Sequence, residues 1–505
     1  MLTRLAELPL LVVLLGLSGA LALFPALFAL AANDHENARD FLYSALILLM
    51  ITVMLGIATA AYSPRDATRS HLSALVLAYA ILPVALALPL VEALPDTSLI
   101  NAWFEMISAF TTTGATVYQP DRLADAVHLW RASVGWFGGF LTLLGAYAIL
   151  APLNLGGTEV ASGRVPGRGA SGAAQIARTA EPSERLTRFA LQLFPVYAAL
   201  TVLLWCSLLI LGESGTAAVI HAMGTLSTSG ISGQTAFADA SVGIGGEFIV
   251  FLCFAFAITR RALPGIRLAE NRRPLLQDPE LRLAALILLA VTGILFFRHW
   301  FLANAMTEET DLAQALRAFW GILFTASSFL TTTGYISSDW NTAAEWSGIG
   351  TPGLALLGLA IVGGGTATTA GGVKLLRVYA LLRHGERELE KIIHPSSIGH
   401  GGIEQRRLRR EGAQFAWVFF MLFASSIAVV VALLLLAGQD FESAMVLAIA
   451  ALTTTGPLAE LGAAEPVLYA ELSGLVKLIL GLAMVVGRLE TLALLALILP
   501  GRGRR

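Results

Sequence analysis

Four short hydroxyl-rich clusters, each closed by glycine, recur in an otherwise apolar chain. They are Thr111-Thr112-Thr113-Gly114, Ser227-Thr228-Ser229-Gly230, Thr331-Thr332-Thr333-Gly334 and Thr453-Thr454-Thr455-Gly456. One such cluster reads as a polar turn or kink. Four, with their glycines a little over a hundred residues apart, read as an internal repeat. The chemistry these residues offer is oxygen. Stripping water from a cation requires replacement oxygens, and rings of backbone carbonyls supply them. Glycine permits backbone angles that aim successive carbonyls the same way. Threonine hydroxyls add oxygens or tie the turn to neighbouring walls. Four such turns around one axis give four oxygens per layer without a tetramer.

The elements that must hold these turns follow from hydropathy. The chain has 505 residues, 56% hydrophobic and 13% charged, with a formal net charge of −2. That apolar content exceeds what a soluble core needs. Long uncharged runs recur near the roughly 20 residues a helix needs to cross a bilayer, and the ~10-residue alternation of a transmembrane barrel is absent. The expected fold class is an all-α polytopic membrane protein of ten spans, near 8–31, 41–62, 71–93, 127–150, 187–211, 242–261, 281–302, 350–383, 413–437 and 470–499. The first ends in a segment resembling a signal-peptidase site but is longer than a signal core, so it reads as an uncleaved helix. A shorter apolar stretch, Leu99–Phe110, precedes the first cluster, and similar stretches precede the others. The layout is therefore two leading helices (1–66) and four units of helix, half-helix, cluster and helix, at 67–160, 161–270, 271–395 and 396–505. Cys206 and Cys253 read as small core residues.

Basic residues set the orientation. They gather after the second, fourth, sixth and eighth spans: Arg65 and Arg69; Arg164, Arg168, Arg178, Arg185 and Arg188; Arg260, Arg261, Arg267, Arg272 and Arg273; Arg383, Arg387, Lys391, Arg406, Arg407, Arg409 and Arg410. Ten spans put all of these, the tail arginines and both termini on the cytoplasmic side. The clusters then lie in the outer half. Outer segments are acidic, among them Asp96, Glu105, Asp121, Glu213, Asp339, Glu345, Asp440 and Glu460. This reads either as avoidance of positive charge outside or as a negative vestibule that concentrates cations.

Two further features lie below the clusters. Ala360–Arg377, "AIVGGGTATTAGGVKLLR", breaks the eighth span with Gly363, Gly364, Gly365, Thr366, Ala367, Thr368, Thr369, Ala370, Gly371 and Gly372. It is not a phosphate loop, because Lys374 follows a valine and no Ser or Thr follows the lysine. It reads as a kink packed through small residues or as a mobile constriction. Lys374 either faces the path or anchors the cytoplasmic end. In "VVGRLETL", Arg488 and Glu490 lie within the last apolar run. Charges at such depth are costly and usually functional. An i, i+2 pair does not face itself on a helix, so a bridge between the two is not expected, whereas one to another helix is possible. His221 reads as a packing residue, Gly135, Gly138 and Gly139 as close helix contacts, and Trp103, Trp130, Trp136 and Trp300 as interface residues.

Together the repeated clusters, the glycine-rich break and the Gly-Arg-Leu-Glu motif resemble the TrkH/KtrB/HKT superfamily of potassium-translocating subunits, TrkH-type members most of all. The resemblance covers essentially the whole chain. It implies that the sixteen cluster residues form a potassium filter, and that the 363–372 loop is an intramembrane gate. It also implies that Arg488 points into the path beneath the filter. Serine in place of the first filter glycine goes with sodium transport in the family, and all four positions here are glycine. The second cluster departs most, with Ser229 where the others have threonine. Ala367 and Ala370 stand where the family tends to have glycine. The resemblance further implies a homodimer in a bacterial inner membrane and a separate cytosolic regulatory subunit with nucleotide-binding RCK domains. Potassium is the only metal expected. No cofactor in this chain, no nucleotide except on the partner and no nucleic-acid ligand are expected.

Two other classes compete. An ion-coupled symporter working by alternating access commonly has inverted repeats and midplane carboxylates, and this repeat is parallel. An intramembrane enzyme would need a nucleophile elbow, a zinc motif or paired mid-helix aspartates, and the sequence has none.

Overall fold

The computed structural model describes residues 8–60, 67–153, 155–157, 182–233, 242–263, 275–302, 312–349, 351–394, 412–463 and 465–490. All regular elements among them are helical. The leading hairpin is α1 (Leu10–Ala31) and α2 (His35–Ala58). Asn33 turns the chain with φ 61, and Asp34 caps α2 by accepting from the Asn37 N–H. α1 then packs on α3 (Ala67–Ala93) and on α5 (Asp125–Gly145).

Between those two comes α4 (Leu99–Phe110), a twelve-residue helix with the bounds expected from sequence. It is short for two local reasons. The Ser98 side chain caps its start, and the Thr-Thr-Thr-Gly cluster stops it. The longer helices that remain follow in order. They are α6 (Pro182–Ile210), α7 (Gly215–Ser227), α8 (Gly243–Cys253), α9 (Pro279–Leu302), α10 (Leu312–Leu330) and α11 (Trp340–Ser347). Then come α12 (Gly353–Val362), α13 (Leu375–Ile393), α14 (Ala413–Leu436), α15 (Phe441–Leu452) and α16 (Gly474–Leu489). α7 and α15 also begin at side-chain caps, Ser214 and Asp440.

By length and composition, seven described helices can cross a membrane. They match seven of the ten expected spans. The other three appear as the shorter α8, α12 and α16, and two of these stop at backbone turns. α12 ends at Gly363 with φ 72, and α16 ends at Glu490 with φ 61. The end of the tenth expected span lies outside the described residues, as do the basic segments 158–181, 264–274 and 395–411 and the tail.

The half-helices α4, α7, α10 and α15 each pack on the helix before and the helix after them in sequence. Contacts across units follow one direction. α5 of the first unit packs on α7 of the second, α8 on α10 of the third, α12 on α15 of the fourth, and α16 of the fourth returns to α4 of the first. The four units therefore close a circle.

Candidate functional site

The four clusters fold into one repeated turn. Its middle residue is left-handed each time: Thr112 (φ 56), Thr228 (φ 54), Thr332 (φ 57) and Thr454 (φ 53). A non-glycine residue in this region is uncommon, so four copies at one register mark a built feature. The third N–H of each cluster donates back into its half-helix. Thr113 reaches Ser108 O at 2.8 Å, Ser229 reaches Gly224 O at 2.9 Å, Thr333 reaches Ser328 O at 2.9 Å and Thr455 reaches Ala450 O at 2.8 Å. First and third hydroxyls meet each other in every turn, at 2.8, 2.9, 3.0 and 3.3 Å. The first also donates to the preceding helical turn, at Ile107, Met223, Ser327 or Ile449. These outer hydroxyls therefore act as fasteners. Among the described residues, the carbonyls of Thr112, Ser229, Thr333 and Thr454 accept no hydrogen bond, which leaves their oxygens for a ligand.

The turns meet in the same circular order as the helices. A Cβ built on Gly114 would stand 2.1 Å from Ser229 O, and one on Gly230 would stand 2.0 Å from Thr333 O. On Gly334 it would meet Pro457 Cγ at 2.8 Å, and on Gly456 it would meet the Ala115 N at 2.3 Å. Each glycine thus lets its turn approach the next, and the fourth closes on the first. The Gly456 N–H also donates to Thr113 O at 2.6 Å.

Helices from behind seal the circle. Gly138 of α5 sits where a Cβ would lie 1.9 Å from Phe110 O, and Gly487 of α16 where it would lie 2.2 Å from Leu452 O. Both carbonyls belong to the residue just before a cluster. Gly139 and Gly135 similarly meet Ser227 and Ser229 of the second turn. The three glycines of α5 make the close contacts the sequence suggested.

Buried carboxylates brace the chain just past three of the turns. Glu105 accepts from the Val117 N–H at 3.0 Å and pairs with Arg131 Nε at 2.6 Å. Glu213 meets His221 Nδ1 at 2.5 Å, and His221 Nε2 meets Ser232 Oγ at 3.0 Å. Glu247 accepts from Ser337 Oγ (2.8 Å), the Ser338 N–H (2.7 Å) and Trp320 Nε1 (2.7 Å). Past the fourth turn the Tyr469 hydroxyl donates to Gly456 O at 2.9 Å. Glu105 and Glu213 are therefore structural anchors and do not line an acidic vestibule. Burial explains the correction, because an unpaired carboxylate there would be far too costly. Glu247 and Arg131 were missed in the sequence. Each is an ionisable residue within an apolar run, and that alone is the signal. Two other expectations also change. Trp130 is fully buried, donating to Leu86 O, and Cys206 is exposed.

Directly against the turns lies the 363–374 loop. Its neck is pinched where Gly363 and Gly372 meet, with φ 72 and 76. A Cβ on Gly372 would stand 2.6 Å from Gly363 Cα. Main-chain bonds from Val373 to Ile361 O and from Lys374 to Val362 O, each 2.9 Å, hold the neck shut. Its crown reaches three of the four units. The Gly371 N–H donates to Thr332 Oγ1 at 2.7 Å, Thr369 Oγ1 donates to Leu226 O at 3.3 Å, and a Cβ on Gly371 would lie 2.2 Å from Thr453 O. On its other side, Thr368 and Gly365 bind Ala257 O, and the Thr366 N–H donates to Glu280 Oε1.

Lys374, Arg488 and Glu490 meet on a small cavity of about 30 Å³, lined also by Thr142, Thr368, Gly371 and Gly487. Arg488 Nε donates to Thr142 Oγ1 at 2.9 Å, and Thr142 Oγ1 meets the Tyr79 hydroxyl at 2.7 Å. Glu490 pairs instead with Arg377 at 2.6 Å, and the Arg377 guanidinium stacks 3.6 Å over Phe419. The bridge to another helix that the sequence left open is thus made by Glu490 and not by Arg488.

Residues 39–500 match the TrkH family, described as cation transport protein. The chain belongs to the TrkH family. Members are transporters and not enzymes. The chain is 28% identical to the Trk system potassium uptake protein TrkH of Vibrio parahaemolyticus over 96% of both chains. It is 28% identical to that of Escherichia coli K12 over 95% of both. It is 30% identical to that of Halomonas elongata over 80% of both. The crystal structure of the potassium transporter TrkH from Vibrio parahaemolyticus superposes with a TM-score of 0.78 at 25% identity, covering 99% of each chain.

Proposed function

We propose that this TrkH-family chain takes up potassium across a bacterial inner membrane through the four glycine-closed turns, acting as a channel-like path driven by membrane potential. The observation that carries this reading is the circular abutment of Gly114, Gly230, Gly334 and Gly456 on successive turns. Four turns that share a left-handed middle residue, three of them closed by a glycine at positive φ, form one closed ring and offer the oxygens that a dehydrated monovalent cation needs. The potassium uptake named in its relatives agrees.

The 363–372 loop is the gate in this reading, closed as it stands. It bonds to the undersides of the turns and would have to leave for ions to pass. Arg488 is an electrostatic brake below it. A regulatory subunit of the nucleotide-binding RCK class, acting from the cytoplasm on a homodimer with both termini cytoplasmic, would bias the loop.

The test is a reversal-potential measurement on purified protein in liposomes under opposed K+ and Na+ gradients. The expected potential follows K+. Gly114→Ser should move it toward Na+, because φ 74 and the 2.1 Å approach to Ser229 O leave no room for a side chain without displacing the neighbouring turn. A potential that tracks a proton or Na+ gradient instead would favour the coupled symporter.

A further inference from the structure

The cavity beneath the loop has a charge imbalance. Three ionisable side chains line it: Lys374, Arg488 and Glu490. Glu490 is already spent on Arg377. Glu280, the nearby carboxylate of α9, bonds to the Thr366 N–H and does not line the cavity. Among the described residues, Lys374, Arg488 and Arg377 thus gather three cations around one carboxylate, Glu490. Lys374 and Arg488 are each 7% exposed. The Lys374 ammonium donates to Ala370 O, and Arg488 donates through Nε to Thr142. Arg488 Nη2 is buried with no hydrogen-bond partner among the described residues. The start of α13 directly after Lys374 adds the positive end of a helix dipole. Burying uncompensated charge is strongly unfavourable, so the site as built calls for a counterion.

Size selects its class. At about 30 Å³, the cavity exceeds the roughly 10–15 Å³ one water fills. It suits a monatomic ion. We propose that it holds a single halide-class anion between the Arg488 guanidinium and the Lys374 ammonium while the loop is closed. The anion offsets one of the two positive charges and stabilises this arrangement. A conducting cation would need it gone, so the same ion would tie closure to the anions of the medium. That regulatory meaning rests on the loop being the gate; the site itself does not.

The probe is bromide, used with the full chain. Crystals grown in bromide should give an anomalous peak in contact with Arg488 Nη2 and Lys374 Nζ. In bromide the thermal midpoint should exceed that in gluconate at equal K+. Arg488→Gln should weaken the apparent bromide affinity roughly tenfold or more, the loss of a charge-assisted contact. Lys374→Gln provides the second variant if the first does not fold. An empty cavity in bromide overturns the proposal. So does a peak with equal midpoints in both anions, which means binding at crystal concentration only. A peak with the midpoint shift, but flux indifferent to the anion, supports the site and counts against the gate.

Discussion

Arg488 is held by Thr142 at Nε and by the Tyr79 hydroxyl, while its Nη2 has no partner among the described residues. A side chain positioned in this way presents its charge to the space it lines. At ~6 Å and an effective dielectric of ~20 it opposes a passing cation by roughly 3 kcal/mol, about a hundredfold in rate. Arg488→Gln should therefore raise K+ flux in liposomes toward that factor; unchanged or lower flux in folded protein would count against the brake. Glu247 makes the opposite kind of contribution. It collects donors from Trp320, Ser337 and Ser338, which fixes the chain just past Gly334. Glu247→Gln keeps the shape but loses the charge in these bonds. The expected cost is about 1–3 kcal/mol of stability, read as a lower thermal midpoint, with K+ preference over Na+ reduced in the surviving protein.

At the scale of the element, the 363–374 loop is shut by its neck. Gly363 and Gly372 approach so closely that Gly372→Ala has no accommodation at φ 76. That substitution should release the crown and raise flux without the regulatory subunit. Ala367 provides the converse. It holds φ 56, a conformation that costs an alanine about 1–2 kcal/mol. Ala367→Gly removes that strain from the closed loop, so flux should fall. Paired liposome measurements on the two variants check both signs. The half-helices show what sequence can and cannot say about elements. Leu99–Phe110 was legible to the residue because its stop signal and its capping serine are local. The break in the eighth span was legible from its glycines. That Thr369 and Gly371 would bond to units two and three was not, because those partners lie 143 and 39 residues away. The Arg377–Glu490 pair, 113 residues apart, escaped for the same reason.

Across the whole molecule the four clusters were legible, and the order in which they abut was not. Hydropathy and the four clusters imply four units, but only the contacts reveal that each cluster abuts the next and the fourth returns to the first. The units are also not equal. Where α5 has Gly138 followed by Gly139, α16 has Gly487 followed by Arg488, and both leading glycines face the carbonyl before a cluster. One quarter of the ring thus carries a charge where another carries none, a difference that four identical subunits could not hold. Single-chain construction has a second consequence, at the seam where Gly456 donates to Thr113. These partners are the first and last of the quartet to leave the ribosome, and closing so long a stretch of polypeptide is slow. Early quarters must wait, unclosed in the bilayer, until the final one is synthesised, so truncation late in the gene should leave an open arc and not a narrower pore.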